Sequence, residues 1–184
     1  MSTGKRLWAR LLVGGLLLAG CSDGPPRTVV DPEFAASEAD YIMFGLKHNV
    51  SRDGIREAVM EADTAHVFQD STIVLLRGNV TLTAYNEELG TEKALVTSDR
   101  GRMNTTSNEL LAEGNAVLLI LADGKRIESY ELRYMPDQDM IRSDSASIMY
   151  DGDDVVEGTG FTSDLGFENV RILNARTMGG AVRF

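Results

Sequence analysis

The sequence predicts an all-β domain of stacked antiparallel hairpins, on three observations. The first is strict alternation. In "NVTLTAY", Val80, Leu82 and Ala84 share one face and Thr81 and Thr83 the other. In "ESYELRY", Tyr130, Leu132 and Tyr134 stand opposite Glu131 and Arg133. A period of two marks a half-buried strand. The second is turn chemistry. "ADGK" at 122–125 and "YDGDD" at 150–154 interrupt apolar stretches with Asp-Gly pairs, which favour tight reversals. The third is an internal repeat. "LLRGNVTL" (75–82) echoes "LLAEGNAVLL" (110–119), with Gly78 and Gly114 36 residues apart. "VMEADTAHV" (59–67) returns at the same spacing as "LVTSDRGRM" (95–103), and residues 127–142 lie over 96–111 at a spacing of 31. Each unit reads as a polar-alternating strand, a turn, an apolar strand and a second turn, so that stacked units cover one another's open faces.

The chain does not begin with this texture. Lys5, Arg6 and Arg10 precede the apolar run Leu11–Leu18, which is broken only by Gly14 and Gly15. That run is far short of the ~20 apolar residues a spanning helix needs. A basic start, a short apolar segment and small residues at its end make a secretory signal over residues 1–20. The run ends in "LAGC", and Leu18-Ala19-Gly20-Cys21 resembles the bacterial lipobox, in which the cysteine is acylated and becomes the first mature residue. Cys21 is the sole cysteine. A disulfide framework within the chain and a thiolate metal site are therefore both excluded. Residues 21–40 follow as an acylated N-terminus and tether, rich in proline, small and acidic residues. The β domain then occupies 41–184. Loss of Lys5, Arg6 and Arg10 with the signal takes the formal charge from −10 to −13. So acidic a chain, without basic clusters, argues against nucleic acid and against electrostatic docking on anionic headgroups. Membrane attachment falls to the lipid, and two acyl chains hold stably at ~0.8 kcal/mol per buried CH₂.

Within the domain, "SRDGIREAVMEADTAHVF" (51–68) carries two readings. Ile55, Ala58, Val59, Ala62 and Ala65 would form the stripe of an amphipathic helix. The repeat places residues 59–67 in the slot of 95–103 and favours strand. Val117, Leu119 and Leu121 alternate with Leu118 and Ile120, an apolar strand on both faces that belongs at the centre of a sheet or beside a groove.

The blocks "ADYIMFGL", "DGIREAVMEADTAHV", "RGNVTLTAYNEELGTEKALVTS" and "VVEGTGFTSDLGFENVRI" resemble, in this order across about residues 39–173, the LptC family of the lipopolysaccharide-export system. The sister protein LptA and the N-terminal domain of LptD share the strand texture; block order and length favour LptC. The resemblance implies a twisted, open β-jellyroll with an apolar interior groove that carries lipopolysaccharide acyl chains. It implies edge-to-edge partners as well. The first strands would meet the β-jellyrolls of LptF/LptG-like transporter subunits, which work with a separate ATPase, and the last strands an LptA-like bridge. The family's usual anchor is an uncleaved transmembrane helix, which the acylated Cys21 replaces here. The expected location is the periplasm, anchored at the inner membrane. Ser22 directly after the cysteine leaves the outer membrane as an alternative, since in enteric bacteria Asp at that position retains a lipoprotein and Ser releases it outward.

The residues themselves offer no catalytic arrangement. His48 and His66 come without a serine or cysteine motif, and there is no phosphate loop, CxxC or HExxH. His66 occupies the repeat slot of Arg102, an outward surface position. "DGDD" (Asp151, Asp153, Asp154) lacks an EF-hand's spacing and reads as a solvated turn. No cofactor or metal is expected, and the chain is not read as an enzyme. Groove-lining candidates are Val80, Leu82, Val117, Leu119, Tyr130, Leu132, Tyr134, Ile148 and Tyr150. Tyr41, Met43, Val170 and Ile172 are candidates for sheet edges that add to a partner's sheet. A scaffolding envelope lipoprotein with a closed β core, without lipid transfer, is the alternative. An envelope hydrolase ranks below both.

Overall fold

Tyr41–Arg52 (β1) and Ile55–Val67 (β2) form the first hairpin of the computed structural model, which describes residues 39–177. The signal, Cys21, almost all of the tether and residues 178–184 lie outside the described residues. Asp53 and Gly54, both with positive φ (50° and 83°), make the two-residue turn, the Asp-Gly geometry that matches strand twist. Residues 55–67 are therefore strand, as the repeat indicated, and 53–54 the turn before it. The stripe Ala58, Met60 and Ala62 faces inward with period two.

The meander continues through Ile73–Tyr85 (β3), Glu92–Asn104 (β4), Leu110–Ile120 (β5) and Arg126–Met135 (β6), each strand antiparallel to the one before. β6 then has two successors. Its C-terminal half pairs with Met140–Ser143 (β7) and its N-terminal half with Ser147–Asp151 (β8). Asp154–Gly158 (β9) pairs with β8, Gly160–Asp164 (β10) with β7, Arg171–Leu173 (β11) with β10 and Arg176–Thr177 (β12) with β9. Twelve strands thus join one sheet that never closes on itself. β1 forms one edge, and β11 and β12 form the other.

The sheet is creased along one line. Gly45 (φ 64°) sits on it in β1, opposite Asp63 of β2. The β2–β3 register breaks between Glu61 and Thr64, β3–β4 between Arg77 and Val80, β4–β5 between Thr97 and Arg100, and β5–β6 between Glu113 and Ala116. The interruption between β7 and β8 at residues 144–146, and Thr159 between β9 and β10, continue it. Bulges increase bending and twist locally, and aligned from β2 to β6 they fold the sheet into two half-sheets. One half contains residues 41–44, 64–67, 73–77, 100–104, 110–113, 131–135, β7, β10 and β11. The other contains residues 46–52, 55–62, 80–85, 92–98, 116–120, 126–129, β8, β9 and β12. The halves lie over each other. His48 Nε2 meets Asn108 Oδ1 at 3.1 Å, and Arg52 Nη2 donates to the Pro136 carbonyl at 3.1 Å, tying the end of β1 to turns of the other half.

The 36-residue repeat has a physical basis at this crease. Gly78-Asn79 and Gly114-Asn115 all take positive φ. Asn79 Nδ2 donates to Asp63 Oδ2, and Asn115 Nδ2 to Asp99 Oδ2, each at 2.8 Å. Each aspartate lies over its glycine: a Cβ on Gly78 would stand 2.5 Å from Asp63 Oδ2. Only glycine fits there. Asn suits the second left-handed position because its short polar side chain tolerates it. The third unit carries Tyr130 where the first two carry aspartate, and the strand break at 144–146 replaces the Gly-Asn bulge. Removing one clasp bond, as in Asn115→Ala, is expected to cost about 1 kcal/mol. The check is a lowered urea midpoint at an unchanged denaturant slope.

Both halves feed a single core. Met60, Leu76, Leu82, Leu118, Ile127, Leu132, Ile141 and Phe161 are fully buried within one cluster. The outer face of the first half is polar. Arg102, Leu111, Arg133, Arg142, Thr162 and Arg171 stand in one cross-strand row. Arg102 is held by both oxygens of Glu113 (3.0 and 2.8 Å). Arg133 lies directly opposite Arg142, and like charges so placed destabilise a sheet. Arg133→Glu is expected to stabilise the fold by about 0.5 kcal/mol, seen as a raised urea midpoint.

Candidate functional site

The candidate site is the interior of the roll with the two sheet edges that give onto it. β3 supplies Val74, Leu76, Val80, Leu82 and Ala84 to the interior, and β5 supplies Leu110, Ala112, Ala116, Leu118 and Ile120. β6 adds Ile127, Leu132 and Tyr134. Burial raises the Tyr134 hydroxyl well above the usual tyrosine range, with the Glu57 carboxylate a second cause. The interior is thus apolar and holds its one phenol neutral.

Four of the nine groove-lining candidates face this interior: Val80, Leu82, Leu132 and Tyr134. The other five do not. Val117 and Leu119 stand half-buried on the outer face of β5, where Ala116, Leu118 and Ile120 take the inner positions. Both faces of β5 are apolar, so alternation alone could not choose between them. Tyr130 was expected on the face of Leu132 and Tyr134. The crease gives β6 an extra outward residue there, and Tyr130 is 57% exposed, its hydroxyl accepting from Arg100 Nη2 at 2.9 Å. A one-residue shift of this kind exchanges faces for everything beyond it. Ile148 and Tyr150 lie outward as well, in register with Glu128 and Arg126, while Met149 between them packs on the core. Val117, Tyr130 and Ile148 line a shallow external hollow of about 600 Å³ with Asn115, Glu128 and Glu157.

The edge candidates lie at the two sheet edges. Tyr41 and Met43 share the inward face with Val67 and Ala65, yet remain 56% and 44% exposed, since among the described residues no strand flanks β1 there. Val170 precedes β11 and Ile172 lies within it; both are half-buried against the core. Phe44, 73% exposed on the outer face of β1, is an edge residue that the sequence reading did not single out. Its place at the end of the unbroken apolar run Tyr41–Phe44, beside Gly45, was the available signal.

The polar residues weighed for chemistry have structural places. His66 stands on the outer face in one cross-strand row with Ile42, Leu75 and Arg102, the direction its repeat slot indicated, yet it is buried and not exposed as expected. Asp63 clasps the first bulge. Asp151 and Asp154 pair across the β8–β9 turn, with Lys125 Nζ 3.6 Å from Asp151. Among the described residues no group of three or more His, Cys, Asp or Glu is placed to hold a metal ion, and no helix is long and apolar enough to cross a membrane.

A single creased sheet, apolar within and, among the described residues, unpaired at both edges, defines an open β-jellyroll. The chain belongs to the LptC family: the model for lipopolysaccharide-assembly, LptC-related proteins matches residues 12–178. It is therefore a lipopolysaccharide-transport component of the periplasm. Among solved structures it is similar to LptH, the LptA homologous periplasmic component of the lipopolysaccharide transport device from Pseudomonas aeruginosa. That likeness has a TM-score of 0.51 and 15% identity, and covers 62% of this chain and 80% of LptH; it speaks for the fold. No curated protein matches in sequence.

Proposed function

We propose that the domain receives lipopolysaccharide from an inner-membrane ABC transporter and hands it to an LptA-like bridge, carrying the acyl chains inside the roll without chemical change. The observation that supports this most is the interior itself. Val80 and Leu82 of β3, Leu118 of β5 and Leu132 of β6 line it, and it gives out at an edge where inward-facing Tyr41 and Met43 are exposed. Burying apolar surface is worth ~25 cal/mol per Å², so acyl chains gain by entering, and a carrier needs no more than that. The β1 edge would join the jellyrolls of LptF/LptG-like subunits, and the β11–β12 edge the bridge. Each junction adds strand to strand, which also protects edges prone to aggregation. The acylated Cys21 would tether the domain at the inner membrane, with ATP hydrolysis supplied by a separate chain.

Photo-crosslinking in growing cells tests this reading. A photoreactive residue at Leu82 or Leu118 is expected to give a lipopolysaccharide adduct, and one at Val117 or Leu119 none. Protein adducts without any lipid adduct from the inner positions would favour a scaffolding role instead.

A further inference from the structure

The segment Leu165–Val170 connects β10 to β11 and belongs to no strand. Three of its side chains, Leu165, Phe167 and Val170, nonetheless pack against the core cluster. Leu165 lines a hollow of about 40 Å³ shared with Arg52, Ala84, Tyr134 and Pro136, where the end of β1 meets the corner after β6. The loop therefore lays apolar groups over the core at this end of the roll.

Its attachment is slight. The Asp164 carboxylate accepts from the amides of Glu168 (2.9 Å) and Asn169 (3.4 Å) and from the Asn169 side chain, and Phe167 N–H donates to the Asp164 carbonyl at 3.2 Å. Burial acts to raise this carboxyl, but the bonds from Asn169, Glu168 and Phe167 outweigh it and hold it below the usual range. Phe167 meanwhile sits at φ 61°, a left-handed conformation that is strained for a bulky side chain. An apolar cover without ladder bonds, strained at its centre and tied by one carboxylate, has the makings of a two-state element.

We propose that Leu165–Val170 is a gate on the interior, its Leu165 and Phe167 side chains occupying the place that acyl chains take when they displace it. This rests on the acyl-carrier reading and adds the route by which the cargo enters or leaves. Releasing the carboxylate tether should shift the gate toward open by about tenfold.

The test uses the full chain carrying a photoreactive residue at Leu118, with purified lipopolysaccharide as the probe. Asp164→Ala is expected to raise the initial rate of adduct formation about tenfold and to speed amide exchange within 165–170. Phe167→Ala, which removes the apolar cover and keeps the left-handed strain, should raise the adduct rate too, so the test does not depend on one variant. Faster loop exchange with an unchanged adduct rate in both variants would overturn the gate and leave the carrier reading standing. No adduct in any of the three proteins would overturn both.

Discussion

Gly78→Val is expected to destabilise the domain by about 2 to 4 kcal/mol, measured by urea denaturation. A left-handed backbone costs a non-glycine residue about 1–2 kcal/mol, and Val is among the worst placed to adopt it. The new Cβ would also overlap Asp63 Oδ2 and break the bond from Asn79, worth about 1 kcal/mol more. Adding Asp63→Ala relieves the overlap and leaves the backbone strain. The double variant should therefore recover part of the loss, with a clear departure from additivity. Full additivity of the two changes would show that the aspartate and glycine do not act together.

Leu118→Ala and Leu119→Ala should differ sharply although they are neighbours on one strand. Leu118 is fully buried in the core cluster, and its truncation should cost about 3 kcal/mol, within the range for buried leucines. Leu119 is half-buried on the outer face and should cost under about 1 kcal/mol. The pair reads out which face of β5 is interior, independently of any lipid. Equal losses would contradict the assigned faces.

These variants also mark where sequence patterning was sufficient. The all-β class, the hairpin order and the inward set of β3 followed from alternation and turn residues, because β3 is polar on its outer face through Thr81 and Thr83. The repeat set Gly78 and Gly114 at equivalent positions among strands and turns, but did not show that each opens a bulge inside a strand. A bulge is one residue long and resets the parity of a strand, and only the pairing register shows which strand absorbs it. Tyr130 and Leu132 are two apart and alternate in sequence, yet the crease sends them to opposite faces. β5 failed differently. It is apolar on both faces, so hydrophobicity carried no information about direction. Val170 and Ile172 alternate and read as an edge strand, but only Ile172 lies in β11; the Asp164 tether and the strained Phe167 depend on backbone angles that composition does not display.

The order of pairing along the chain bears on how the domain forms. From β1 to β6 every strand bonds to its immediate predecessor, so most of the sheet assembles through short loop closures, each with a small entropic cost. Such a meander can zip from any hairpin that forms first, faster than a β fold of the same size built on distant pairings. The contacts that lay one half-sheet over the other, Arg52 with Pro136 and His48 with Asn108, span 84 and 60 residues. They can only be made once the meander exists. Folding should therefore proceed in two stages, an early flat ladder and a later closure about the crease. Substitutions at Arg52 should then speed unfolding while leaving the folding rate nearly unchanged.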